Sequence, residues 1–115
     1  MKVLSNKEGI GIVGLGVLGS AIAENFINKN IQISGYDISR KSLEKVAKKK
    51  IVIYETLDSL VIDNRYILLS LPSEKSLIDT ANNLKNNNNQ DLIIIETSTL
   101  PIDCKLNAKE ILLQK

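Results

Sequence analysis

A β-branched run at residues 10–13 leads directly into Gly14-Leu15-Gly16-Val17-Leu18-Gly19, and an apolar pattern of helical period opens at Val17. Glycine spacing alone is weak, because glycines fall at such intervals by chance. A strand before and a helix after give each glycine a task. Gly14 permits the tight turn, Gly16 lets the backbone approach a pyrophosphate, and Gly19 allows close packing of helix on strand. Val17 and Leu18 belong to the opening of the helix, whose unpaired N–H groups and positive dipole end suit a phosphate. Residues 14–19, Leu15 included, are therefore the expected cofactor-binding turn.

Downstream the same alternation repeats. Aliphatic runs at 31–36 (IQISGY), 51–54 (IVIY), 66–71 (YILLSL) and 92–96 (LIIIE) include several that are continuous rather than alternating. Strands buried on both faces of a parallel sheet read this way. Helical patterns lie between them. Leu18, Ile22 and Phe26 share a stripe over 17–29, and Leu43, Val46 and Ala47 follow Ser39 as cap. Leu57, Leu60 and Val61 mark a short third helix. The fourth starts after Ser73 with Leu77, Ile78, Ala81 and Leu84; the fifth opens on Pro101 after Ser98 or Thr99 as cap. Repeated β-α units predict an α/β domain. Right-handed crossovers then give a Rossmann-type doubly wound parallel sheet of strand order 3-2-1-4-5. The tract NNNNQ at 86–90 reads as a polar surface loop with no function, and KVAKKK at 45–50 as a solvated helix end.

A dinucleotide site also needs an acid at the end of the next strand. Asp37 stands there, eighteen residues beyond Gly19, near the spacing of about 20 that brings a carboxylate to the adenosine ribose hydroxyls. The same carboxylate repels a 2′-phosphate and so favours NAD over NADP. Arg40 and Lys41 follow closely; they could reach such a phosphate, or be solvated residues of the second helix's first turn. The ligand of a doubly wound sheet lies beyond the C-terminal ends of its strands. Here those ends are LSLPSEKS and ETSTLP. Leu71 and Pro72 predict an apolar wall and a rigid turn beside the nicotinamide half. Ser73 reads first as a helix cap. Ser98 and Thr99 offer hydroxyls where nicotinamide and a small polar substrate would meet, a role compatible with capping.

Composition mainly excludes. At 115 residues there is one domain at most, and with 3% aromatic residues its core must be aliphatic. A net charge of +2 argues for neither nucleic acid nor an anionic membrane. Cys104 is the only cysteine and there is no histidine, so an internal disulfide is impossible and a structural zinc site is not expected. The N-terminus lacks the layout of a signal peptide, and no apolar run is long enough to span a bilayer. A soluble, cytoplasmic protein is the expectation.

On these residues the chain resembles the N-terminal segment of the β-hydroxyacid dehydrogenases, the family of 3-hydroxyisobutyrate and 6-phosphogluconate dehydrogenases. The family pattern G-x-I-G-L-G-x-M-G-x-x-M-A-x-N-L is matched at the glycines, Ala23 and Asn25, with Leu18 and Ile22 for methionines and Phe26 for leucine. Leu71-Pro72 is similar to the family's L-P turn, and IIIETSTLP to its V-I-D-x-S-T-x-x-P signature. The resemblance implies a cofactor-side role for Thr99 and a substrate-side role for Ser98. Glu96 replaces the usual aspartate, and one residue rather than two separates Thr99 from Pro101. NADP-preferring members carry N-R-T after the second strand, where this chain has Asp37-Ile38-Ser39; that difference implies NAD.

The family's catalytic lysine and its S-G-G substrate loop come after the matched stretch, and no lysine here matches the catalytic motif. Residues 1–115 are therefore expected to be one NAD(P)-binding domain, truncated before a sixth strand and lacking the helical substrate and dimer domain. Such a chain would bind cofactor without turnover, and would meet its hydroxy-acid substrate only with the second domain present. The fifth strand would be an exposed edge, open to self-association through that edge or the fifth helix. Two alternatives stand beside this reading: a non-catalytic dinucleotide-binding or interaction module, and a fragment of an imine reductase-like NADPH enzyme.

Overall fold

The computed structural model describes residues 8–87, 89 and 91–114. Aliphatic runs and helical patterns alternate as elements: β1 (Ile10–Val13), α1 (Val17–Asn28), β2 (Ile33–Tyr36), α2 (Arg40–Val46), β3 (Ile51–Ile53), α3 (Leu57–Asp63), β4 (Tyr66–Leu69), α4 (Glu74–Leu84), β5 (Ile93–Glu96) and α5 (Ile102–Leu113). Every pairing is parallel and the order is β3-β2-β1-β4-β5, the doubly wound sheet that the sequence predicts. Register decides where a ligand can lie. Val13 pairs with Tyr36 on one side and Leu69 on the other, and Leu69 pairs with Glu96. Gly14, Asp37, Ser70 and Thr97 follow these residues and so line up along one end of the sheet.

Successive strand residues face opposite ways. Ile12 joins Leu15, Ala23, Ile33, Val46 and Ile51 beneath α1 and α2. Val13 joins Leu60, Ile67, Leu69, Leu77 and Leu84 beneath α3, α4 and α5. Leaving water contributes about 1.5–3 kcal/mol for each such Leu or Ile. The α1 contact differs from its predicted stripe. Gly19 and Ala23 are the buried positions, Ile22 and Phe26 flank them, and Leu18 is 46% exposed. Small residues take the contact because the helix lies close against the strands.

Ser39 and Ser73 cap α2 and α4 as expected; Ser73 forms a capping box with Ser76. Some ends differ. β2 begins at Ile33 rather than at residue 31, because the Ile31 N–H donates to the Phe26 carbonyl while the Asn30 N–H donates to that of Ile27. Asn30, at φ 58°, is the left-handed residue of this helix-terminating motif. β4 ends at Leu69, so Leu71 belongs to the turn. Neither Ser98 nor Thr99 caps α5: Pro101 occupies the cap position, without a side-chain acceptor, and the helix begins at Ile102.

In KVAKKK, Val46 is buried as the last residue of α2, while Lys45 and residues 47–50 are exposed, with Lys49 paired to Glu24 of α1. Within NNNNQ, Asn88 and Gln90 lie outside the described residues, but Asn89 is more than a surface loop residue. Its side-chain amide donates to the Val61 and Asn64 carbonyls at 3.0 and 3.2 Å, satisfying the C-terminal end of α3. At the sheet's outer strand, β5, Ile93 and Ile95 are exposed on the face away from α4 and α5. Among the described residues no helix is long and apolar enough to cross a membrane.

Candidate dinucleotide site

The turn after β1 is fixed by contacts only glycine permits. Gly14 has φ +100°, and a Cβ there would sit 1.9 Å from the Ser70 carbonyl oxygen. At Gly19 a Cβ would come within 1.8 Å of the Gly14 oxygen, so this residue sets how closely α1 meets the turn. Gly16 is different: nothing lies within 4 Å of an added Cβ. Its backbone borders open space at the start of α1, where no side chain caps the helix and no acid stands in the first turn. Free N–H groups and the positive dipole end therefore face an unobstructed hollow, the arrangement that receives an anion.

Asp37 ties this turn to β2. Its Oδ2 accepts the Leu15 N–H at 2.7 Å and its Oδ1 accepts the Ser39 N–H at 2.8 Å. Each oxygen keeps a second lone pair, so the carboxylate can hold the turn and still accept from a ribose hydroxyl. Leu15 serves differently from the other residues of its motif. Its side chain is buried beneath α1 and α2, its N–H is taken by Asp37, and its carbonyl accepts from the Ser20 hydroxyl. Leu15 positions the turn, while Gly14, Gly16, Val17, Leu18 and Gly19 line the cleft.

This cleft, of about 630 Å³, runs across the sheet end from Asp37, Ile38 and Ser42 to Leu71, Pro72 and Thr99. Its volume suits a small-molecule ligand. The Leu71 N–H donates to the Ser98 hydroxyl at 2.7 Å, joining the turn after β4 to the turn after β5. Ser98 is 2% exposed, and its Oγ lies 3.5 Å from the Leu69 carbonyl, so its hydroxyl is engaged with backbone on both sides. Thr99 beside it is exposed and presents the freer hydroxyl. Thr97 donates to the Leu69 carbonyl at 2.7 Å.

Sequence reasoning missed part of the lining. Ser76, Thr80 and Asn83 of α4 border the cleft. Their helical spacing was a usable signal, as a polar stripe flanking the apolar one. A larger hollow of about 810 Å³ between α3 and α4 meets the cleft at Leu57 and Asn83, but has no glycine turn in its lining. Cys104 is buried, and that burial, then the Glu74 and Glu96 carboxylates, push its thiol pKa up, away from a reactive thiolate.

Comparison with known proteins bears on the family and the fold. The model of the NAD-binding domain of 6-phosphogluconate dehydrogenase matches residues 9–114. Mitochondrial 3-hydroxyisobutyrate dehydrogenase of Drosophila melanogaster is 27% identical over 105 residues, covering 90% of this chain and 32% of that protein. Among solved structures, an imine reductase from Pseudomonas sp. superposes with TM-score 0.81 at 15% identity, over 93% of this chain and 38% of that one. The 3-hydroxyisobutyrate dehydrogenase of Mycobacterium tuberculosis gives 0.79 at 14% identity, over 92% and 36%. The chain thus spans about a third of the length of these relatives. Glycine turn, sheet order and the family match over nearly its whole length place it plainly: the chain belongs to the family of the NAD-binding domain of 6-phosphogluconate dehydrogenase.

Proposed function

We propose that residues 1–115 are the cofactor-binding domain of an NAD-dependent dehydrogenase acting on a small 3-hydroxy acid, and that this chain alone binds the dinucleotide without turnover. One observation carries the cofactor reading: the open face of Gly16 at the uncapped start of α1. The pyrophosphate lies there, on the N–H groups of the first turn. The adenosine ribose extends to Asp37, and the nicotinamide half toward Leu71, Pro72 and Thr99. When bound, NAD supplies the hydride acceptor. The chain's residues bind and orient it, and the wall of Leu71 and Pro72 limits water on the nicotinamide side.

Oxidising an alcohol also requires a group that takes its proton. Among the described residues that line the cleft, the ionisable side chains are Tyr36, Asp37 and Asp79, and the turns after β4 and β5 add only the hydroxyls of Ser70, Ser98 and Thr99. The lining holds no lysine, which supports binding without turnover. Similarity to a 3-hydroxyisobutyrate dehydrogenase supports the substrate class.

Calorimetric titration is expected to show NADH binding more tightly than NADPH, since Asp37 repels a 2′-phosphate. Clearly tighter NADPH binding favours the imine reductase-like reading instead, and binding of neither overturns the proposal. The outer edge of β5, with Ile93 and Ile95 beside it and Ile102, Leu106 and Leu113 exposed on α5, supports self-association through that edge or helix. Sedimentation at high concentration then finds dimers or larger species; a monodisperse monomer contradicts it.

A further inference from the structure

Behind the β5 side of the cleft lies a charged pair that the cofactor-binding residues do not include. Glu96, the last residue of β5, accepts the Ser98 N–H on Oε1 at 2.7 Å. Its Oε2 lies 3.0 Å from Lys105 Nζ of α5. That oxygen is buried and has no aligned hydrogen bond among the described residues, so the Lys105 ammonium is its compensating charge. Both side chains are largely shielded, with 29% of Lys105 and 18% of Glu96 exposed. A shielded pair of this kind holds its geometry better than a solvated one, and loss of one partner strands the other's charge.

The contacts continue into the cleft. Lys105 holds Glu96, Glu96 holds the Ser98 backbone, and the Ser98 hydroxyl holds the Leu71 N–H. Thr99 and Pro72, the neighbours of the last two, line the cleft. Resting on the cofactor reading above, we infer that Lys105 and Glu96 are positioning residues for the nicotinamide half of the site. They fix the turn after β5 and, through Ser98, the wall after β4. Asp37 and the glycine turn lie across the sheet, on β2 and β1, and the pair leaves the adenosine half untouched.

Comparing NADH with ADP-ribose, which lacks nicotinamide, tests this. In Lys105→Met, NADH binding weakens roughly five- to tenfold, while ADP-ribose binding stays within about twofold of the unaltered chain. Lys105→Arg restores NADH binding. Glu96→Gln keeps the side chain's length and an acceptor for Ser98 but removes the charge; it weakens NADH selectively even if Lys105→Met folds poorly. Equal loss of both ligands in the two variants, or loss of neither, overturns the inference while leaving the cofactor reading intact. An unaltered chain that binds neither ligand overturns the cofactor reading, and this inference with it.

Discussion

Gly16→Ala is expected to weaken NADH binding about 10- to 100-fold while the chain still folds. The added methyl meets no protein atom within 4 Å, and φ at this residue is −73°, which alanine adopts freely. Exchanging glycine for alanine at a helix N-cap costs the fold about 1 kcal/mol at most. The methyl instead occupies the hollow where a pyrophosphate would approach, and forcing such a group into a filled site costs about 1–3 kcal/mol. Urea denaturation and NADH titration separate the two effects. Unchanged affinity in a folded Gly16→Ala chain would mean that the hollow does not receive the ligand. Gly14→Ala makes the contrast, since its Cβ would collide with the Ser70 carbonyl at a left-handed φ, so there the fold itself is lost.

Asp37→Ala is expected to damage fold and site together. It removes two hydrogen bonds to a carboxylate, leaving the Leu15 and Ser39 N–H groups without their acceptor. The expected destabilisation is about 2–4 kcal/mol, because hydrogen bonds to a charged group contribute more than neutral ones. NADH affinity falls as well, with the turn released and the ribose acceptor gone. Asp37→Asn keeps an acceptor but removes the charge, so the preference for NADH over NADPH narrows toward parity. Denaturation curves and paired titrations measure these changes. Unaltered stability and affinity in Asp37→Ala would contradict both roles.

The glycine turn and Asp37 were legible in the sequence because their signal is local: a strand, a turn and an acid at fixed spacing. Asn30 was not, since an asparagine that closes a helix in the left-handed region looks like any loop asparagine. Ser98 shows the limit most clearly. The sequence predicts it as a cap or on the substrate side; it does not cap α5, and its hydroxyl accepts from the N–H of Leu71, 27 residues away, brought near by the β4–β5 pairing. Glu96 likewise marked a departure from the family pattern, and its structural partner is on α5. Asn89 gave only a low-complexity signal, although its amide closes α3. Contacts between distant segments depend on register, and composition carries no trace of register.

A dinucleotide on the glycine turn, with its adenosine toward Asp37, would change the surroundings of the backbone amides that line the cleft. Titrating the isotope-labelled chain with NADH and following backbone amide shifts by NMR reads this placement residue by residue. The amides of Gly16, Val17 and Leu18 are predicted to move most, in a saturable way, with Ile38 and Thr99 moving at the two ends of the cleft. Saturable shifts confined to the hollow between α3 and α4, or none at the glycine turn, would contradict it.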